Sequence, residues 1–541
     1  MRRILMNIVL MSALIVGMTG WTAQGQQISV DQAIDRISQR EAQLAQKLHQ
    51  YTPTVETYVQ DMRPDNDLGM TIVADHYFLG KALLSEGKVE VPPRVKDLKN
   101  PKKKNEKPHE VKLGSLSGVF PKQSVQDGFL RMIYVDPTGS FDRQHYHFDY
   151  VRREFLGEVR CLVFDVTPMQ GLKGDHFLGR IWVEDQDYTI VRFNGANVPD
   201  EHPKGYRLHF DSWRVNVAPG MWVPSYIYSA ESDVHDLLWS HVRFRAQMRL
   251  WGYNIRRSIG EADRSEAESQ RAREREAEDK AMDRLQTAGL LAPAGEVDKI
   301  LATVVNNLEV SNNVDIEPEV ECHVLLTSTL ESFTIGHSIV ISRGLLDVLP
   351  DETSLATVLA HELGHMLVGQ SFGDEWAFSD WNVFPTEEGF NHFDLPINQH
   401  QEEQANEKSI ELLKKSPYKD KLWVAGKFLQ VLDSQSKTLT NLISQHVESR
   451  AVIANQLMNA AARPAGSNAN DVAVLAMGSR IKLDPWTDQV DVLKSKPVAL
   501  LTRQEQQPFQ IGPYMPFLYR QTAAGGGAQK APPKSSGNGQ Q

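Results

Sequence analysis

One five-residue pattern, His361-Glu362-Leu363-Gly364-His365, constrains this chain more than any other feature. On an α-helix, residues four apart lie on one face, one turn apart. His361 and His365 can therefore present two imidazoles to a single metal ion. Glu362 points beside such a metal, where its carboxylate can take a proton from a water that the metal activates. The surrounding stretch, residues 344–370, reads as a helix capped by Asp351 just after Pro350. Leu355, Val358, Leu359, Leu363, Met366 and Leu367 make it apolar on most sides, which predicts burial. Buried histidines need partners, and at this spacing a metal is the usual one.

A catalytic zinc site needs a third protein ligand and an open position for water. The pattern that places glycine three residues after the second histidine, and a third histidine three further on, is excluded. Val368 and Ser371 occupy those places. Downstream, Glu402, Ala405, Ser409 and Leu413 fall along one helical stripe that ends at Ser416-Pro417. Glu402 can then face the histidine helix, with Asn406 one turn behind it. His392, Asp394 and His400 are the alternative third ligands.

The run Gly336-His337-Ser338-Ile339-Val340-Ile341-Ser342-Arg343-Gly344-Leu345-Leu346, the HELGH pattern and the spacing from Glu402 to Asn406 resemble one family. It is the HtpX, Oma and CAAX-prenyl-protease family of zinc metallopeptidases, which are gluzincins. The resemblance covers residues 295–460, roughly a third of the chain. It implies one zinc ion per chain held by His361, His365 and Glu402, with Glu362 as general base. The chain departs from the family in three places. Asn406 stands where the family usually has an aspartate that orients a ligand histidine. An amide can still accept the imidazole N–H but raises its basicity less. Ser332-Phe333 replaces an Asn-Ala pair. The segment Ser444-Gln445-His446-Val447-Glu448-Ser449-Arg450 lacks the family's His-Pro and brings the following arginine closer. His446 is thus either a donor to the substrate oxyanion or a surface helix histidine.

The rest of the chain sets the context. Arg2 and Arg3, an apolar run over residues 4–18 and Ala23-Gln24-Gly25 predict a signal peptide over residues 1–25, hence a periplasmic or secreted protein. No later stretch has eighteen uninterrupted apolar residues, so no membrane span is expected after cleavage. A net charge of −11 argues against nucleic acid as a partner. With 41% hydrophobic and 23% charged residues, the composition is that of a globular protein. The two cysteines, Cys161 and Cys322, either form one interdomain disulfide or remain buried thiols.

The expected organisation is an N-terminal helix over 26–60, a β-rich domain over 61–260, a charged linker helix over 261–292, and a zinc metallopeptidase domain over 293–462. An extended segment over 463–520 should pack back on the body, and a disordered tail covers 521–541. Strands are expected at residues 131–135, 159–166, 177–183, 189–193, 206–217 and 223–228, joined by short turns as an antiparallel meander. Gly179-Arg180-Ile181-Trp182-Val183-Glu184 followed by Ile190-Val191-Arg192-Phe193 resembles the lipoprotein-sorting (LolA and RseB-like) half-barrels. That resemblance implies a concave apolar face for an acyl chain or peptide; the other reading is a structural cover for the protease. His145 and His147 alternate on one strand face, either as metal ligands or as exposed strand residues. Residues 371–401 carry seven large aromatics between the two metal-ligand helices, which predicts a lid or a substrate wall.

The fold class expected is therefore α+β: a mainly helical zincin-type peptidase domain with a small edge sheet, preceded by an antiparallel β-rich, half-barrel-like domain. The function expected is exported zinc-dependent endopeptidase activity on protein or peptide substrates, in envelope protein quality control. The alternative is a periplasmic chaperone or assembly factor that binds lipoproteins or misfolded envelope proteins through the β-rich domain.

Overall fold

The computed structural model describes residues 29–90, 125–136, 139–172, 176–198, 208–235, 241–253, 281–369, 398–467, 471–478 and 480–493, with isolated residues and short pieces up to 520. The expected signal peptide, the lysine-rich stretch 91–110, most of the charged linker, most of the aromatic stretch 371–401 and the tail 521–541 lie outside these residues.

Helix α1 (Val30–Leu48) begins at Ser29, whose hydroxyl accepts from Gln32 N while the Gln32 side chain accepts from Ser29 N. Its stripe of Ile34, Ile37, Leu44 and Leu48 is buried, as its spacing predicts. The helix ends there, and residues 54–60 already belong to a strand. Ten strands follow: β1 (Thr54–Asp65), β2 (Gly69–Leu83), β3 (Lys88–Glu90), β4 (Tyr146–Leu156), β5 (Val159–Pro168), β6 (His176–Glu184), β7 (Ile190–Val198), β8 (His209–Ala218), β9 (Met221–His235) and β10 (His241–Trp251). They form one sheet in the order β3-β2-β1-β10-β9-β8-β7-β6-β5-β4. Every pairing in it is antiparallel. The run at 131–135 is not a strand. It continues from helix α2 (Val125–Leu130) into a 3-10 turn, Arg131–Ile133, that buries Met132 and Ile133. A short apolar run fits either conformation, and here the preceding helix decides it.

Helices α1 and α2 cover one face of the sheet, where Ile37, Leu44 and Phe129 pack with Val59, Phe177 and Phe244. Glu41 of α1 fixes this docking with a two-pronged bond from the buried Arg214 of β8, at 2.6 and 2.7 Å. The chain's own helices thus fill apolar surface of the kind that the lipoprotein-sorting resemblance assigns to an acyl chain or peptide. The opposite face is shared. Near β5–β9 it stacks Trp182, Trp213 and Trp222 under Leu518. A side chain at Gly157 would come within 2.4 Å of the Leu518 carbonyl, so the C-terminal strap needs glycine there. Near β1, β2 and β10, Tyr58, Tyr77, Leu79 and Trp251 join the core of the second half of the chain.

That second half contains α3 (Glu296–Asn312), β11 (Glu321–Leu325), β12 (Ser332–Ile335), β13 (Ser338–Ser342), α4 (Arg343–Val348), α5 (Glu352–Leu367), α6 (Gln399–Lys415), α7 (Leu422–Ser436), α8 (Gln445–Glu448) and α9 (Ala454–Ala460). Its sheet has the order β11-β13-β12, with β11 parallel and β12 antiparallel to β13. The molecule is α+β. The C-terminal segment packs on both halves. Asp347 accepts from Arg480 N at 2.7 Å and Ile481 N at 2.9 Å, and Gly252 N donates to Asp488 at 2.8 Å. Cys161 and Cys322 are both buried and unpaired, in different clusters. Burial pushes each thiol up to about 12. Among the described residues, no helix is long and apolar enough to cross a membrane.

Candidate metal centre

Two helices build the site. Asp351 caps α5, accepting from Ser354 N at 2.8 Å, and all residues from Thr353 to His365 are buried. Helix α6 starts at Asn398, whose side chain accepts from His400 N and Gln401 N. The two helices touch at Gly364, where an added Cβ would lie 2.6 Å from the Ala405 carbonyl. Only a residue without a side chain allows this approach, and it carries Glu402 to the histidine face.

His361 Nε2 and His365 Nε2 stand 2.9 Å apart. Glu402 offers Oε2 to the first and Oε1 to the second, each at 3.4 Å. These three buried side chains can bring their ligand atoms within 4.8 Å of one another, and they form the only such group among the described residues. Two buried imidazole nitrogens and a carboxylate this close together can hold a cation between them. The donor set is one that zinc takes. Of the alternative third ligands, His392 and Asp394 lie outside the described residues, and His400 is not part of the group.

The electrostatics suit ligand duty. Burial, aided by Arg450, lowers His361 to about 4, so it stands neutral with a lone pair to give. Burial works against the Glu402 charge, but bonds to His361, His365 and His446 outweigh it and hold the carboxyl well below its usual range. Ser449 adds a hydrogen bond to Glu402 Oε2 at 2.7 Å, and His446 Nδ1 lies 3.8 Å from Oε1. His446 therefore sits beside the third ligand, with its side chain 13% exposed.

Glu362 is held at both oxygens. Arg450 Nη2 donates to its Oε1 in a short contact, and Ser332 donates to the same oxygen at 2.8 Å. Thr334 donates to Oε2 at 2.8 Å. Arg450 Nη1 also donates to Ser332 Oγ at 2.7 Å. Burial would raise the Glu362 carboxyl, but Arg450, the two histidines and Ser332 more than offset it, and Glu362 is held ionised. Asn406 is buried, yet among the described residues its Oδ1 has no hydrogen-bond partner, and neither His361 Nδ1 nor His365 Nδ1 has one. The expected bond from a ligand imidazole to Asn406 is not formed. His145 and His147 instead bind their neighbours Asp142 and Asp149, at 2.7 and 3.0 Å.

The sequence singled out His361, Glu362, His365, Glu402 and His446, and the structure brings all five together. Arg450, Ser449, Ser332 and Thr334 were missed as site residues. A usable signal existed: a buried glutamate needs a cation and donors, and Ser332 and Thr334 alternate on a strand just ahead of the histidine helix.

Residues 292–373 match the model of peptidase family M48. The match spans α3 to α5, so it takes in His361, Glu362 and His365 and ends before Glu402. It supports the M48 zinc metallopeptidases as relatives of this region, and with them a metallopeptidase, hence hydrolase, function acting on proteins or peptides. No curated protein matches the chain.

Proposed function

We propose that this protein is an exported zinc metalloendopeptidase. The observation that carries the reading is the convergence of His361 and His365 of α5 and Glu402 of α6 on one buried point, with the carboxylate of Glu362 next to His361 in sequence. We read the region around it as a zincin-type peptidase domain with β12 as its edge strand. His361, His365 and Glu402 would hold zinc, which would supply a Lewis acid for the scissile carbonyl and for a water. Glu362 takes a proton from that water and returns it to the leaving amine. Arg450 keeps Glu362 charged before each turnover. His446, beside Glu402, is placed in the role of a donor to the oxyanion.

Export and action on envelope proteins rest on the residues at the N-terminus: two arginines, an apolar run and small residues before a cut. The assembly-factor reading depends on an open apolar face for lipoproteins or misfolded chains. The helices α1 and α2 on the ten-stranded sheet give that reading no support.

The test is hydrolysis of unfolded casein by the purified mature chain, with and without chelator. Glu362→Gln should retain zinc and fold and lose cleavage by roughly 100-fold or more, the usual weight of a general base. Metal-independent cleavage, or full activity in Glu362→Gln, would contradict the reading.

A further inference from the structure

Glu362 does more than sit in a charged pocket; its two oxygens are treated differently. A carboxylate has about four lone-pair sites, two on each oxygen. Oε1 is filled by Ser332 Oγ and Arg450 Nη2. Oε2 accepts from Thr334 Oγ1 and, among the described residues, from no other donor. Ser332 and Thr334 are two apart on β12, so their side chains leave the same side of the strand, one hydroxyl for each oxygen. Ser332 is itself fixed, because Arg450 donates both to its hydroxyl and, at 3.2 Å, to its carbonyl. The carboxylate is thus held at both ends with one acceptor site left, and that site is on Oε2.

We propose that Ser332 and Thr334 are positioning residues for peptide hydrolysis, holding Glu362 so that Oε2 is the atom that accepts the proton. This rests on the hydrolase reading above. Water gives its proton to Oε2 as its oxygen forms a bond to the scissile carbonyl carbon. The C–N bond then breaks, and the same proton passes from Oε2 to the leaving nitrogen. Oε1 keeps its bonds to Ser332 and Arg450 throughout, so the carboxylate neither rotates nor needs to be repositioned between the two transfers. Misplacing a reacting group by about 1 Å can cost roughly 100-fold in rate.

The experiment compares Thr334→Val, Thr334→Ser and Ser332→Ala with the wild type in two arms. In the first, steady-state cleavage of an extended peptide by the zinc-loaded chain should show kcat reduced roughly 10- to 100-fold in Thr334→Val with KM unchanged, and restored in Thr334→Ser. Zinc content should equal wild type. In the second, the metal-free chain is used without substrate. The infrared difference between wild type and Glu362→Gln isolates the Glu362 carboxylate bands, and these bands should shift in Thr334→Val and in Ser332→Ala. Wild-type kcat in Thr334→Val, a change confined to KM, failure of serine to restore turnover, or unmoved bands would each overturn the proposal. If the wild-type chain itself cleaves nothing, the hydrolase reading has failed. The infrared arm then still decides whether the hydroxyls hold the carboxylate.

Discussion

A pair of buried charges, Arg450 and Glu362, decides how this site stands when empty of substrate. Both side chains are 1–2% exposed, and their bond is reinforced by Ser332. Removing one partner of such a pair leaves the other charge buried and costs about 3–5 kcal/mol. Arg450→Met should therefore lower the urea midpoint by that equivalent, and adding Glu362→Gln should recover part of the loss because the stranded charge is gone. An unchanged midpoint in Arg450→Met would mean that the guanidinium contributes little to the fold. The two candidate metal-ligand histidines were legible in the sequence because a helix turns the spacing of four into a shared face. Arg450 lies 88 residues from Glu362, and such a pairing leaves no local periodic trace. The sequence offers Asn406 as a partner for a ligand histidine, and among the described residues its Oδ1 has none. A spacing on a helix fixes the direction of a side chain, and it leaves open whether a bond forms.

At the scale of elements, the crossing of α5 and α6 is what turns two helices into a site. Gly364 lies at the contact, and the Ala405 carbonyl occupies the space a methyl group would need. In Gly364→Ala, α6 must move outward, taking Glu402 with it. The expected outcome is a folded protein whose zinc dissociation constant rises roughly 10- to 100-fold, the range seen when the support of a ligand is disturbed. Equilibrium titration with a competing chelator measures it, and wild-type affinity would mean that the helix gap is not what sets the ligand distance. The meander β5–β9 was largely readable from alternation and turn residues. The strands β1–β3 and β10 were not, and β4 showed only in the alternation of His145 and His147. Much of β1 is buried on both faces, so its run Thr-Val-Glu-Thr-Tyr-Val shows no alternation, although Pro53 marks the end of the preceding helix. Strand β12, which carries Ser332 and Thr334, is four residues long and falls below what periodicity can resolve.

Across the whole molecule, the two halves share a buried polar joint that neither could satisfy alone. Glu56 on β1 accepts from Tyr77 at 2.6 Å, from Ser328 Oγ at 2.7 Å and from Arg343 at 2.9 Å. Arg343 is 1% exposed and donates its Nε to Leu326 O. Ser328 and Arg343 flank the β12–β13 hairpin, so the ten-stranded sheet supports the strand that grips Glu362. Glu56→Ala strands the Arg343 charge and should cost about 3–5 kcal/mol in denaturant unfolding. A loss below about 1 kcal/mol would show that the two halves are energetically independent. No sequence period announces this joint, because its members are brought together only by the docking of the two halves. The proposed function requires that His361, His365 and Glu402 hold one zinc ion. Zinc-edge X-ray absorption on the purified chain, wild type beside Glu402→Ala, measures this. About one zinc per chain is expected, with two imidazole nitrogens at about 2.0–2.1 Å, oxygen completing the shell, and sharply reduced zinc in Glu402→Ala. A wild-type chain without zinc, or an unaltered shell at full occupancy in Glu402→Ala, would contradict it.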